Sequence, residues 1–313
     1  MFRLGIDLGG SSITVGVVDD AHRILARTAA VTPKAETRRT IPEAIAACAQ
    51  ETLAAAGIQR SSCIGAGLGT PGICDTGRGV VRYAHNLGWN DFSAADALQK
   101  KLDMPVRIAN DGNCAALGEA VAGAAKGCES ALVLTLGTGV GGGFVLRGKL
   151  CAGHNGLGGE FGHIRIAADG EKCSCGEFGC WEAYASATAL VRQAARAASV
   201  CPDSALHRCG TLCGSTVYAA AASGDPTARS VTEKYAEYVG MGLVSLINVL
   251  FPEIVLIGGG IANAGEALFG PVREYVHEHS FVRDRSLLPP IRAAALGNDA
   301  GIIGAAALIT DIE

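Results

Sequence analysis

A chain of 313 residues is long enough to bury a large core, in two domains or one large one. Its formal net charge of -4, with no cluster of Lys and Arg, argues against a nucleic-acid partner held by a basic face. No window approaches the roughly 18 uncharged apolar residues of a membrane helix, and "MFRLGIDLGG" lacks the apolar run of a signal peptide, so the expectation is a cytoplasmic chain with no membrane partner.

The elements follow in order. "RLGID" and "ITVGVVDD" read as strands around a glycine turn, "RILARTAAV" as a third strand, and residues 41–56 as a helix with apolar positions at helical spacing. "CIGAGLGT" is an apolar strand, "PGICDTGRG" a turn-rich loop, and "VVRYAHNLGW" leads to a helix near 94–102. "PVRIAN" is a short strand and "DGNCAALGEAVAGAA" a helix with Asp111 at its start. After Gly127 the pattern begins again: "SALVLTLGTGVGGGFVLRGKL" is strand, glycine turn, strand, with Gly137 in the place of Gly9. Such an echo predicts duplicated halves. Residues 181–250 are mostly helical and include the apolar run "MGLVSLINVLF", which reads as buried helix. A strand, a third glycine turn and a helix follow, then a last strand and a closing helix, so the class is α/β.

Glycine turns admit backbone N–H groups to an anion because no side chain intervenes. Neither of the first two matches a P-loop or a dinucleotide fingerprint, since each leads to a strand, and each alone reads equally as a plain hairpin. Together they carry Asp7, Gly9, Gly10, Ser11 and Ser12, then Gly137, Thr138 and Gly139, which add hydroxyls and a carboxylate that hairpins do not need. Gly259 and Gly260 lie in the third turn, between a strand and a helix.

Twelve cysteines in a chain without an export signal predict reduced thiols, and Cys48, Cys63, Cys114 and Cys128 read as small core residues. Cys173, Cys175 and Cys180 differ: with His163 ten residues upstream they offer the donor set of a closed structural zinc site. Redox thiols and three unrelated buried thiols are the other two readings, although no C-x-x-C is present there. His154 is a rival ligand, and Cys201, His207, Cys209 and Cys213 fit no zinc spacing. His277 and His279, near a helix end, read as solvated or dipole-favoured.

"DLGGSS", "GTPG", "NLGW", "NDGNCAALGE", "LGTGVGGG", "GHNGLGGEFGH" and "CSCGEFGCWE" together resemble the sugar kinases of the ROK family, in the family's order and over nearly the whole chain. The resemblance implies a two-lobed fold of the actin-like and hexokinase-like ATPases, built from duplicated ribonuclease H-like domains. Its small lobe would span residues 1–110, completed by a helix at 299–313, and its large lobe residues 111–298. The activity implied is ATP-dependent phosphorylation of a hexose at its 6-hydroxyl, glucose first, with lobe closure excluding water. An N-acetylmannosamine, N-acetylglucosamine or fructose kinase is the alternative. A ROK repressor or non-catalytic sugar sensor comes from another class; repressors carry a DNA-binding domain ahead of the first glycine turn, for which residues 1–7 leave no room.

The resemblance further implies that Asp111 is the general base, where local sequence alone reads it as a helix cap. It implies sugar contacts from Gly72, Asn86, Asn110, Asp111, Glu160, His163 and Glu182, where the bland readings are a turn residue for Asn110, surface charge for Glu160 and Glu182, and a helix-dipole contact for Glu182. ATP and Mg²⁺ would meet the glycine turns, structural Zn²⁺ would take His163, Cys173, Cys175 and Cys180, and the chain would form a dimer or tetramer.

Overall fold

The structure is a computed structural model and describes residues 1–33 and 40–309. Strands β1 (Phe2–Leu8), β2 (Ser12–Asp19) and β3 (Ile24–Val31) form an antiparallel meander. Helix α1 (Thr40–Ala56) crosses over, and β4 (Cys63–Thr70) returns parallel to β1. Strands β5 (Ile73–Asp75), β6 (Val80–Ala84) and β7 (Trp89–Phe92) make a small antiparallel sheet. Segment 71–79, expected to be loop throughout, thus contains β5, which is too short to show alternation. Helix α2 (Ala94–Leu102), strand β8 (Val106–Asn110), parallel to β4, and helix α3 (Asp111–Ala122) follow.

The second half continues with β9 (Ser130–Leu136), β10 (Val140–Leu146), β11 (Lys149–Leu150), α4 (Glu182–Ala185), α5 (Ala187–Val200), α6 (Ala205–Arg208) and α7 (Gly214–Ala222). Then come α8 (Pro226–Leu250), β12 (Ile254–Gly258), α9 (Glu266–His279), β13 (Ile291–Ala293) and α10 (Asp299–Ala307). The C-terminal four residues of the helix expected at 299–313 lie outside the described residues. The two large sheets run β3-β2-β1-β4-β8 and β11-β10-β9-β12-β13, so the echo in the sequence is an echo in strand order. In each sheet the glycine turn joins the central strand to its neighbour.

The chain divides into two compact units: residues 1–133 and 142–159 with the chain from Ala295 onward, and residues 134–141 with 160–294. Helix α3 belongs with the N-terminal sheet because it shares that unit with α10, at backbone distance. A Cβ on Gly304 would lie 1.6 Å from the Cys114 carbonyl oxygen, and one on Gly118 would lie 2.2 Å from that of Ala300. Gly67 admits α10 onto β4 in the same way, its Cβ position 1.7 Å from the Ala305 oxygen. Under these elements Leu4, Ile6, Leu8, Ile13, Val15, Ile41, Ile45 and Trp89 form a buried core.

In the second unit α8 starts from Asp225, whose side chain accepts from the Ala228 N–H, with Pro226 at the first helical position. Tyr235, Val239, Leu243 and Ile247, four apart, are all fully buried and make its inward stripe. Trp181 packs on this helix at Gly242 and donates its indole N–H to the Tyr238 carbonyl at 2.7 Å. No helix among the described residues is long and apolar enough to cross a membrane.

Candidate active site and metal centre

Strand β8 delivers Asn110 and Asp111 to the start of α3. The cap is Asn110: its Oδ1 accepts from the N–H groups of Gly112 at 2.9 Å and Asn113 at 3.3 Å. Its Nδ2 donates to the Gly72 carbonyl at 3.3 Å. Gly72 sits at φ +94°, where a Cβ would meet the Tyr83 carbonyl at 2.1 Å. The helix-cap reading of Asp111 therefore fails; its carboxylate accepts from the adjacent Gly112 N–H, at 2.8 Å, and does not reach Asn113. Burial pushes the Asp111 carboxyl above the ordinary range. Asp7, at the end of β1, is pushed up to about 6, by burial first and by the Asp111 carboxylate second. One carboxylate raised by burial, and a second raised by burial and by the charge of the first, beside a glycine turn, suit a site that receives a cation.

The first glycine turn is closed by Gly9 N–H to the Ser12 carbonyl at 2.8 Å, and by Thr32, which donates its N–H to Ser11 O and its hydroxyl to Gly9 O. Among the described residues the N–H groups of Gly10 and Ser11 meet no acceptor. Asn86 lies against this turn, its Cβ 3.1 Å from where Gly10 would carry one.

The second turn has the same character. Gly137 N–H donates to Gly139 O at 3.0 Å, and among the described residues the amides of Thr138 and Gly139 meet no acceptor. The segment 182–188 grips it: Ala187 N–H donates to Gly137 O at 2.8 Å, the Thr188 hydroxyl to Thr138 O at 2.9 Å, and Val140 N–H to the Glu182 carboxylate at 3.1 Å. The third turn lies beside the second. Gly259, at φ +85°, approaches so closely that a Cβ would fall 2.4 Å from Leu136 O, whereas the Gly260 position opens onto free space. The first two turns thus leave backbone donors without acceptors among the described residues, an arrangement that favours anions.

His163 ends a short 3-10 turn, Phe161–His163, that begins after Glu160. Its Nδ1 lies 3.7 Å from Cys173 Sγ, Cys175 and Cys180 sulfurs are 3.8 Å apart, and all four ligand atoms fall within 4.8 Å of one another. Tetrahedral zinc with ~2.3 Å Zn–S bonds separates its sulfurs by about 3.8 Å, so the spacing fits. Burial and the neighbouring thiols push Cys180 up to about 12, so three thiolates coexist here only around a cation. The histidine of the set is His163, not His154, and it is the sole such set among the described residues. His207 turns instead to Ala198 O, Cys209 to Thr211 O and Cys213 to Ser215.

Residues 3–312 match the ROK family. This chain belongs to the ROK family. It is 37% identical to a glucokinase of Halalkalibacterium halodurans over 99% of this chain and 95% of that one. It is 35% identical to a glucokinase of Streptomyces coelicolor, over 97% and 96% respectively. Among solved structures, a ROK family glucokinase from Streptomyces griseus in complex with glucose and AMPPNP is 35% identical, with a TM-score of 0.85 over 98% of this chain and 99% of that one. The fold is that of the hexokinase-like α/β ROK sugar kinases.

Within this ROK chain the first unit assembles Asp7, Gly9, Gly10, Ser11, Ser12, Gly72, Asn86, Asn110 and Asp111, while the second assembles Gly137, Thr138, Gly139, Glu160, His163, Glu182, Gly259, Gly260 and the cysteines. Glu182 is not a helix-dipole charge, since α4 has four residues and the carboxylate is bonded to Val140 N–H and to the Ser174 hydroxyl. Sequence reading did not reach Ser174, Ala187 or Thr188. Small polar residues next to a motif carry no signal until their partners are known.

Proposed function

We propose that this ROK protein is an ATP-dependent glucokinase that transfers the γ-phosphoryl group to the 6-hydroxyl of glucose. The observation that carries the reading furthest is Asp111: a carboxylate at a strand end, relieved of capping by Asn110 and raised in pKa by burial, beside a second carboxylate and a glycine turn. The glucokinase relatives, similar over nearly their whole length, support the same activity. In this reading Asp111 accepts the 6-hydroxyl proton as the new O–P bond forms and the bridging bond to the β-phosphate breaks, releasing ADP.

Glucose hydroxyls are assigned to Gly72, Asn86, Asn110, Glu160, His163 and Glu182. The nucleotide is assigned to the amides of Gly10, Ser11, Thr138 and Gly139 and the hydroxyls of Ser11, Ser12 and Thr138, in turns that Gly9 and Gly137 close, with Gly259 and Gly260 leaving room beside them. Mg²⁺ beside Asp7 would neutralise developing phosphate charge. His163, Cys173, Cys175 and Cys180 would hold Zn²⁺ in a closed set that leaves no position for substrate, so its part is to fix the loop. With its Nδ1 toward the sulfurs, His163 keeps Nε2 for a sugar hydroxyl.

ADP release against glucose, mannose, fructose, N-acetylmannosamine and N-acetylglucosamine tests the substrate. Glucose should give the highest kcat/KM. A preference for an N-acetylated sugar or fructose would move the chain to another ROK kinase class, and turnover with none of the five would overturn the kinase reading.

A further inference from the structure

Each oxygen of the Glu182 carboxylate holds a protein donor, with lone pairs left for the sugar hydroxyl assigned to it. One accepts from Val140 N–H at 3.1 Å, next to Gly139, where a Cβ would fall 2.3 Å from it. The other accepts the Ser174 hydroxyl at 2.6 Å. Ser174 stands between Cys173 and Cys175, inside the cysteine loop, and its side chain is exposed rather than packed. The base of Glu182 cannot drift, because the preceding Trp181 is fully buried and bonded to Tyr238 O, and Cys180 before it belongs to the ligand set. What would otherwise be free is the carboxylate's own rotation; the short charge-assisted bond from Ser174 removes it, and Cys173 Sγ makes a longer contact of 3.7 Å to the same oxygen.

We infer that Ser174 is a positioning residue for nucleotide binding: it aims Glu182 so that the carboxylate braces the second glycine turn at Val140. The cysteine loop thereby sets the phosphate-facing amides of Thr138 and Gly139, whose carbonyl side is already gripped by Ala187 and Thr188. This inference rests on the assignment of that turn to ATP.

The test is direct calorimetric binding of MgADP to the full, zinc-loaded chain without sugar, alongside steady-state constants for ATP and glucose. Ser174→Ala should weaken MgADP binding and raise the KM for ATP about three- to ten-fold, with kcat, zinc content and melting temperature held, and Ser174→Thr should restore both. Nucleotide constants within two-fold of wild type overturn the inference. So does loss of zinc in Ser174→Ala, or a rise in the KM for glucose alone. If the wild-type chain turns over no glucose yet binds MgADP, the glucokinase reading fails while the binding arm still decides on Ser174.

Discussion

Asn110 caps helix α3 and Asp111, one residue on, does not. The two share the Gly112 N–H, with Asn110 Oδ1 at 2.9 Å and Asp111 Oδ1 at 2.8 Å, but only Asn110 also reaches Asn113. Cap and carboxylate can therefore be separated by mutation. Asp111→Asn should lower kcat about 10²- to 10⁴-fold while glucose binding stays near wild type and the unfolding midpoint stays at or above it, because a buried charge is removed. Asn110→Ala should instead lower stability by about 1 kcal/mol, and it raises the KM for glucose if the amide also serves the sugar. Denaturation and initial-rate kinetics on the two variants check both.

The raised carboxyls make stability depend on pH in a defined direction. Asp7 has an ordinary value of 3.8 and a folded value of about 6, so between those values the folded chain holds more proton than the unfolded one. Stability contributed by this group therefore falls as pH climbs through that window and is level above it. Asp7→Asn should gain relative to wild type as pH is raised from 4 to 6.5, read as the difference in urea midpoints. Asp111, raised for the same reason, adds to the wild-type slope.

The same groups set the acid side of the rate profile. With Asp111 as base, kcat/KM for glucose should fall on acidification well before the ordinary carboxylate range near 4 is reached. A profile level from pH 7 down to 4.5 would contradict the assignment.

Zinc removal has a built-in reporter. Trp181 directly follows Cys180 and is fully buried, and the chain has only two tryptophans, Trp181 and Trp89. One zinc per chain is expected by metal analysis. Chelation, or Cys180→Ser, should change Trp181 fluorescence as the loop from His163 to Cys180 loosens. In a Trp89→Phe background the signal comes from Trp181 alone.

The glycines under α10 predict a large local cost. In Gly304→Ala the new methyl meets the Cys114 carbonyl at 1.6 Å, which only a backbone shift relieves. A loss of about 1–3 kcal/mol is expected, measured as a lowered denaturation midpoint. Gly210→Ala, where nothing lies within 4 Å, is the control and should be near neutral.

Much of this architecture is legible in the residues. Alternating apolar runs around "LGG" and "LGTG" announce two similar meanders, and the cysteine spacing with His163 announces a ligand set. What could not be read was the division of labour between neighbours. Asp and Asn cap helices about equally well, so "ND" alone does not say which one caps. Glu182 looks like any acid at a helix start, because its partners Val140 and Ser174 are 42 and 8 positions away. Residues 111–133 read as part of the second half; the backbone contact of Gly118 and Gly304 with distant carbonyls binds them to the N-terminal sheet, and small residues give no periodic signal for it.

Helix α10 lies on β1 and β4 through Gly5 and Gly67, near three hundred and two hundred and forty residues away along the chain. During synthesis the N-terminal strands emerge first and their apolar face meets its cover last. Until residues 299–307 leave the ribosome, that face is open to chaperones or to a neighbouring nascent chain. Loop closure over such a span also makes this a slow step in refolding from denaturant. Acquisition of the β1–β4 face should therefore trail formation of the second unit, whose residues all lie between 134 and 294.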